Sequence, residues 1–181
     1  MSIRPIKLQS GATPTMEGAG VHLHRVFGFG DTDMFDPFLM MDDFRNDDPE
    51  QYLKGFPWHP HRGIETITYV LKGNVEHGDS LGNRGVLSDG DVQWMTAGSG
   101  IIHQEMPTGN AQGQMHGFQL WANLPRDQKM CTPRYQDIKS GDINTLTDDD
   151  GTHIRVIAGD YRGYRGAVDG IDTDPSYLDV A

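Results

Sequence analysis

One cysteine, Cys131, stands in a chain of 181 residues. That scarcity excludes an intramolecular disulfide framework and any cysteine-built zinc cluster, and it fits a reducing, cytoplasmic location. Long apolar runs are missing too. No stretch approaches the ~20 consecutive apolar residues of a membrane helix. The opening segment Met1-Ser2-Ile3-Arg4-Pro5-Ile6-Lys7 leads into no apolar core of signal-peptide length. Bases are scarce, 15 Lys and Arg against 26 Asp and Glu, for a formal charge of −11. Binding to a phosphate backbone draws its affinity from clustered Lys and Arg, so direct nucleic-acid binding is not expected. The balance suits small-molecule or protein partners instead. A sustained apolar period of 3.6 residues is also lacking, which argues against helix bundles and coiled coils.

What the chain has in plenty is turn formers, 23 Gly and 10 Pro. Between them lie short segments rich in β-branched and aromatic residues, the pattern of strands. Val21–Phe27, Ile64–Leu71, Val92–Thr96, Ile101–Met106 and Gly117–Ala122 are the clearest. Turn signals at Lys72-Gly73-Asn74, Ser88-Asp89-Gly90-Asp91 and Ala97-Gly98-Ser99-Gly100 separate them. Pro37 confines the Met34–Met41 stretch to an edge or to the start of a strand. The polar, acidic segment from Asp42 to Gln51 reads as a solvated loop. Further strands are expected at Tyr135–Ile138 and His153–Gly159, with Ser176–Val180 offering the start of one more. Strands at this spacing predict an all-β sandwich or barrel.

Two segments carry metal-type ligands at strand spacing: His59-Pro60-His61 and His103-Gln104-Glu105. Side chains at i and i+2 of a strand share a face, so each pair can converge on one point. Three imidazoles and a carboxylate form a mixed nitrogen and oxygen set. That set suits Fe, Mn, Ni, Cu or Zn better than Mg or Ca, and it leaves coordination positions for water or substrate. Gly98-Ser99-Gly100 supplies a tight turn before His103. Glu65 follows His61 by four residues and competes with Glu105, because strand parity from His61 also allows it to face inward. It is read as a core polar group or one that orients an imidazole.

The segments Phe35-Asp36-Pro37-Phe38, His59 to Thr66, Gly90 to Gly98, and Gly100 to Pro107 resemble the pirin family of the cupin superfamily. The likeness runs from about Arg25 to Pro125. It implies an all-β cupin jelly-roll barrel, the double-stranded β-helix. It also implies one metal ion held by His59, His61, His103 and Glu105, with iron expected first and Mn, Ni, Cu, Co or Zn as alternatives. The implied activity is that of a quercetin 2,3-dioxygenase, in which Glu105 acts as general base while a flavonol ring is opened by O₂ with release of carbon monoxide. The alternative it implies is a non-enzymatic, metal-containing regulatory protein acting through protein partners. A cupin binding some other small acid or sugar is the blander reading, since fold does not dictate function.

Arg62 and Gln104 flank the ligands and are read as supporting groups. His22 and His24 lack a second ligand pair, and His77, His116 and His153 are read as isolated. Trp58, Trp94, Trp121, Met95 and Phe118 are expected to fill the barrel, with one or two at the pocket mouth. Pirin-like proteins resemble two cupins in tandem, so residues 1–160 are read as the N-terminal, metal-bearing cupin and 161–181 as a tail that starts an incomplete second one. The tail after about Gly159 is expected to dock poorly or be covered by another chain, with self-association as one answer.

Overall fold

The computed structural model describes residues 5–181. Met1 to Arg4, the start of the N-terminal stretch considered above, lie outside the described residues. In chain order the strands are β1 (Thr13–Glu17), β2 (Val21–Phe27), β3 (Phe38–Asp43), β4 (Phe56–His61), β5 (Ile64–Lys72), β6 (Val75–Asp79), β7 (Arg84–Leu87) and β8 (Val92–Thr96). There follow β9 (Ile101–Pro107), β10 (His116–Asn123), β11 (Arg134–Ile138), β12 (Asn144–Thr147), β13 (His153–Ala158), β14 (Asp160–Tyr161), β15 (Tyr164–Arg165) and β16 (Tyr177–Val180).

A seven-stranded sheet, β1-β2-β3-β10-β5-β8-β11, faces a four-stranded sheet, β4-β9-β6-β7, across a cavity. Every pairing within them is antiparallel. This is the double-sheet barrel of the cupin fold. A three-stranded sheet, β12-β13-β16, and a short β14-β15 hairpin complete the molecule.

The central strand β5 explains the layering. Its residues are buried on both faces from Glu65 to Val70, as expected for a strand covered from both sides. Thr66, Thr68 and Val70 point into the barrel. Ile67 and Tyr69 point the other way, into a core with Trp94, Leu120, Ala122, Ile157 and Val168. That second core glues the three-stranded sheet to the back of the barrel. Burying an Ile- or Leu-sized side chain contributes about 1.5–3 kcal/mol, so this face is an integral layer.

The C-terminal segment therefore differs from expectation. β16 pairs with β13, Leu178 opposite Val156 and Val180 opposite Ile154. His153 and Ala181 exchange backbone hydrogen bonds of 2.7 and 2.9 Å. Tyr69 donates its hydroxyl to Asp179 at 2.5 Å. The tail is satisfied within its own chain, because β13 exposes a strand edge that Tyr177–Val180 matches in alternation. The sheet draws strands from both sides of residue 160. β12 carries only one apolar residue, Leu146, and so escaped the sequence pattern.

Two smaller points bear on the site. Pro37 sits immediately before β3, a strand start as expected, and its carbonyl accepts from the Asn123 N–H at 2.8 Å. Asp42 is not part of a wet loop. It is 3% exposed and accepts two hydrogen bonds of 2.9 Å from the Arg25 guanidinium. The bidentate fit meets the cost of burying that carboxylate.

Candidate metal centre

His59 on β4 and His103 on β9 are direct cross-strand partners. His61, two residues on in continuous register, shares their face, while an irregularity of β4 between Phe56 and His59 sets Phe56 opposite Glu105. Gly98, with φ +50°, and Gly100, with φ +139°, make the turn that returns the chain as β9; such angles favour glycine. The imidazole centroids of the three residues lie 4.4 to 4.9 Å apart. One nitrogen from each falls within 4.8 Å of the others.

The hydrogen bonds fix what these nitrogens offer. His59 Nδ1 lies 2.8 Å from the Pro57 carbonyl oxygen. A carbonyl can only accept, so Nδ1 carries a hydrogen, and in the neutral ring Nε2 then presents its lone pair. That lone pair faces His103 Nε2 at 3.0 Å. Burial, then the neighbouring His103 and His59, lowers the His61 pKa to about 4. Burial and His59 lower that of His103 to about 3. His61 and His103 are thereby held as neutral imidazoles, the form that binds a divalent transition metal. The donor chemistry fits such an ion.

Glu105 stands outside this triad but on the same face and in the same cavity. Its Oε1 accepts from Thr68 Oγ1, across the barrel on β5, at 2.8 Å. Thr68 Oγ1 is also 2.8 Å from the side-chain oxygen assigned to Gln119 on β10. A hydroxyl has one hydrogen, so with that hydrogen on Glu105 the Gln119 amide turns its NH₂ toward Thr68. Thr68 belongs to a row of cross-strand partners on the inner face of the large sheet: Asp42, Gln119, Thr68, Gln93 and Asp137. On the small sheet, Glu105 is the partner of His77, and His103 of Asp79.

Glu65 is on the opposite face of β5, beside Ala122 and Thr96. It accepts from Thr96 at 2.7 Å, and burial raises its pKa. Gly63, with φ +69°, lies between β4 and β5, and this turn breaks the parity that linked Glu65 to His61. Glu65 is a core polar residue of the back layer.

The cavity measures about 810 Å³. Exposed Trp58 and Arg62 stand on its rim, and Trp121 packs edge-on against His61 at 4.9 Å. Of the residues assigned to barrel filling, Trp94 and Met95 are fully buried, with Trp94 in the back-layer core. Gln104 alternates to the outer face of β9, away from the ligands. His22, His24 and His153 are exposed, and His116 is half-buried. His77, in contrast, is 5% exposed and stacks on Tyr135, whose hydroxyl lies 3.5 Å from His103 Nδ1. Strand parity could have exposed Thr68 and Gln119. No local signal marks His77 or Tyr135.

A family model described as Pirin matches residues 20–122. The pirin-like protein of Caulobacter vibrioides is 47% identical over 182 residues, covering 100% of this chain and 66% of that protein. A solved quercetin 2,3-dioxygenase from Acinetobacter baumannii superposes with a TM-score of 0.77 at 36% identity, over 88% of this chain and 58% of that one. A bacterial pirin from Escherichia coli, solved in complex with nickel(II), gives a TM-score of 0.54 at 25% identity, over 80% and 68% of the two chains. The chain thus spans less than two thirds of the length of the first two relatives.

Proposed function

This chain belongs to the pirin family, and from that premise we propose that it is a mononuclear metal-dependent dioxygenase of the quercetin 2,3-dioxygenase type. The single observation that carries the proposal is the convergence of three imidazole nitrogens within 4.8 Å on the wall of an 810 Å³ cavity that Glu105 also enters. His59, His61 and His103 hold the ion, and Glu105 is its anionic fourth ligand or adjacent base. When bound, the ion would supply Lewis acidity toward a phenolate oxygen and, where it is a redox-active metal such as iron, a meeting point for O₂. Iron is the first expectation, with Mn, Ni, Cu, Co and Zn as alternatives.

The remaining work falls to the protein. Trp58 and Trp121 offer flat apolar surfaces to a flavonol-sized ring system. Glu105 accepts the proton of the substrate hydroxyl, and the Thr68 hydrogen bond aims its carboxylate at that proton. The apolar walls exclude bulk water and so strengthen every charge interaction inside.

The test is an aerobic assay of iron- or nickel-loaded protein with quercetin, following loss of flavonol absorbance and release of carbon monoxide. Both are expected together. A fully metallated protein that leaves the flavonol intact would reject the enzymatic reading in favour of a metal-containing regulatory protein.

A further inference from the structure

His77 and Asp137 have no part in the chemistry above, yet both sit directly behind the triad. Buried polar groups in folded proteins are nearly always hydrogen-bonded, and one that is not calls for an explanation. Among the described residues neither ring nitrogen of His77 has a hydrogen-bond partner, although the side chain is only 1% exposed. Its Nε2 points toward Asp137 Oδ2 at 3.5 Å. Gln93 holds the other carboxylate oxygen of Asp137 at 3.1 Å. On its flat side the His77 ring stacks on Tyr135, with centroids 5.8 Å apart and planes 13° apart. The Tyr135 hydroxyl in turn faces His103 Nδ1 at 3.5 Å.

Gly85 makes this arrangement sterically open. It is the cross-strand partner of His77 on β7. A Cβ there would lie 2.6 Å from His77 Nε2 and 3.5 Å from Asp137 Oδ2, in the space the two groups share. The absence of a side chain at residue 85 is what lets the imidazole lean toward the carboxylate.

We propose that Asp137 and His77 brace the Tyr135 ring so that its hydroxyl oxygen accepts the Nδ1 hydrogen of His103, making Tyr135 and His77 positioning residues for the metal-facing nitrogen. With the hydrogen fixed on Nδ1, His103 Nε2 keeps its lone pair for the metal. This matches the Pro57 carbonyl acting on His59 Nδ1. Ligand imidazoles generally depend on a partner at their second nitrogen, and losing it typically costs 10- to 100-fold in metal affinity. Burial and the nearby charges of Glu105, Asp79 and Asp137 push the Tyr135 phenol up, so it remains a neutral hydroxyl in support of this role.

The inference rests on the three-histidine metal centre, and the experiment separates the two. Cobalt(II) affinity is measured by competition with a chromophoric chelator, together with the visible ligand-field spectrum of the bound ion. The variants are Tyr135→Phe, which keeps the stacked ring and removes only the hydroxyl, and Gly85→Ala, which drives His77 off Asp137. Tyr135→Phe is expected to bind cobalt roughly 10- to 100-fold more weakly, with displaced bands and a near-native melting temperature of the metal-free protein. Gly85→Ala is expected to shift affinity and spectrum in the same direction. Should Gly85→Ala fail to fold, His77→Phe, which keeps a stacking ring without nitrogens, takes its place. Unchanged affinity and spectrum in Tyr135→Phe would overturn the relay. If His59→Ala with His103→Ala loses cobalt in the same series, the metal centre stands and only the relay falls. Full retention by that double variant overturns both.

Discussion

His59 and His103 face each other across β4 and β9 with their Nε2 atoms 3.0 Å apart. The Pro57 carbonyl accepts the hydrogen of His59 Nδ1, which in the neutral ring leaves Nε2 facing His103 as an acceptor, and a cation between the two nitrogens would satisfy both lone pairs. The strand pairing holds them in register, and the burial of His103 at 0% exposure keeps water from relieving the contact.

Removing this pair is expected to remove the metal. The combined His59→Ala and His103→Ala variant should carry no stoichiometric transition metal by elemental analysis, while circular dichroism shows an unchanged β-sheet spectrum. Full metal content in that variant would sink the assignment.

Glu105, on β9 of the four-stranded sheet, faces the cavity, whereas Glu65, on β5 of the seven-stranded sheet, faces the back layer. Glu105→Gln is expected to lower dioxygenase turnover by ~10²-fold or more, the usual scale for losing a general base. Glu65→Gln should leave metal content and turnover close to native. The reverse ranking would return Glu65 to the site.

Glu65 should instead register in stability. Its folded pKa is raised by burial from an ordinary 4.5. As pH rises through that ordinary value the unfolded chain releases the proton first, so stability falls until the folded carboxyl also ionises. Glu65→Gln is expected to flatten this decline in urea titrations above pH 4.5. A decline of equal slope in the variant would assign it to other groups.

The metal-free protein should lose stability in the opposite direction. His61 and His103 have pKa values lowered from 6.5 to about 4 and about 3. Below pH 6.5 the unfolded chain takes up protons that the folded one refuses, so stability falls on acidification and levels off near the folded values. Chemical denaturation of chelator-treated protein between pH 7 and 4 measures this. Bound metal should blunt the loss at the upper end, because it ties up the same lone pairs.

The last strand offers a direct check on the docked tail. Amides of Asp179 and Ala181 are expected to exchange slowly with solvent, since these alternate residues of β16 bond to β13 and Ala181 bonds to His153. A chain ending at Gly159 should uncover the back-layer core and unfold at lower denaturant. Fast exchange over those residues would restore the expectation of a poorly docked segment.

The sequence by itself determined the central strands, their class and the shared face of His59 and His61. Ile64 to Leu71 is β-branched and apolar enough to be a strand in any context, and the i, i+2 spacing of His59 with His61 puts both on one face whatever the surroundings. These are local properties of an extended backbone. Tertiary structure decided what strand parity cannot carry across a turn. Gly63 reverses the chain, so Glu65 leaves the face that His61 occupies. Pairing between distant strands brings Thr68 and Gln119 to Glu105, and Tyr135 and His77 to His103. It also seats Tyr177–Val180 on β13, an edge that does not exist until the barrel has closed and its back layer has formed. Such contacts join residues separated by up to 110 positions, as Tyr69 and Asp179 are. They depend on register and layer packing, which the alternation of a single strand does not encode.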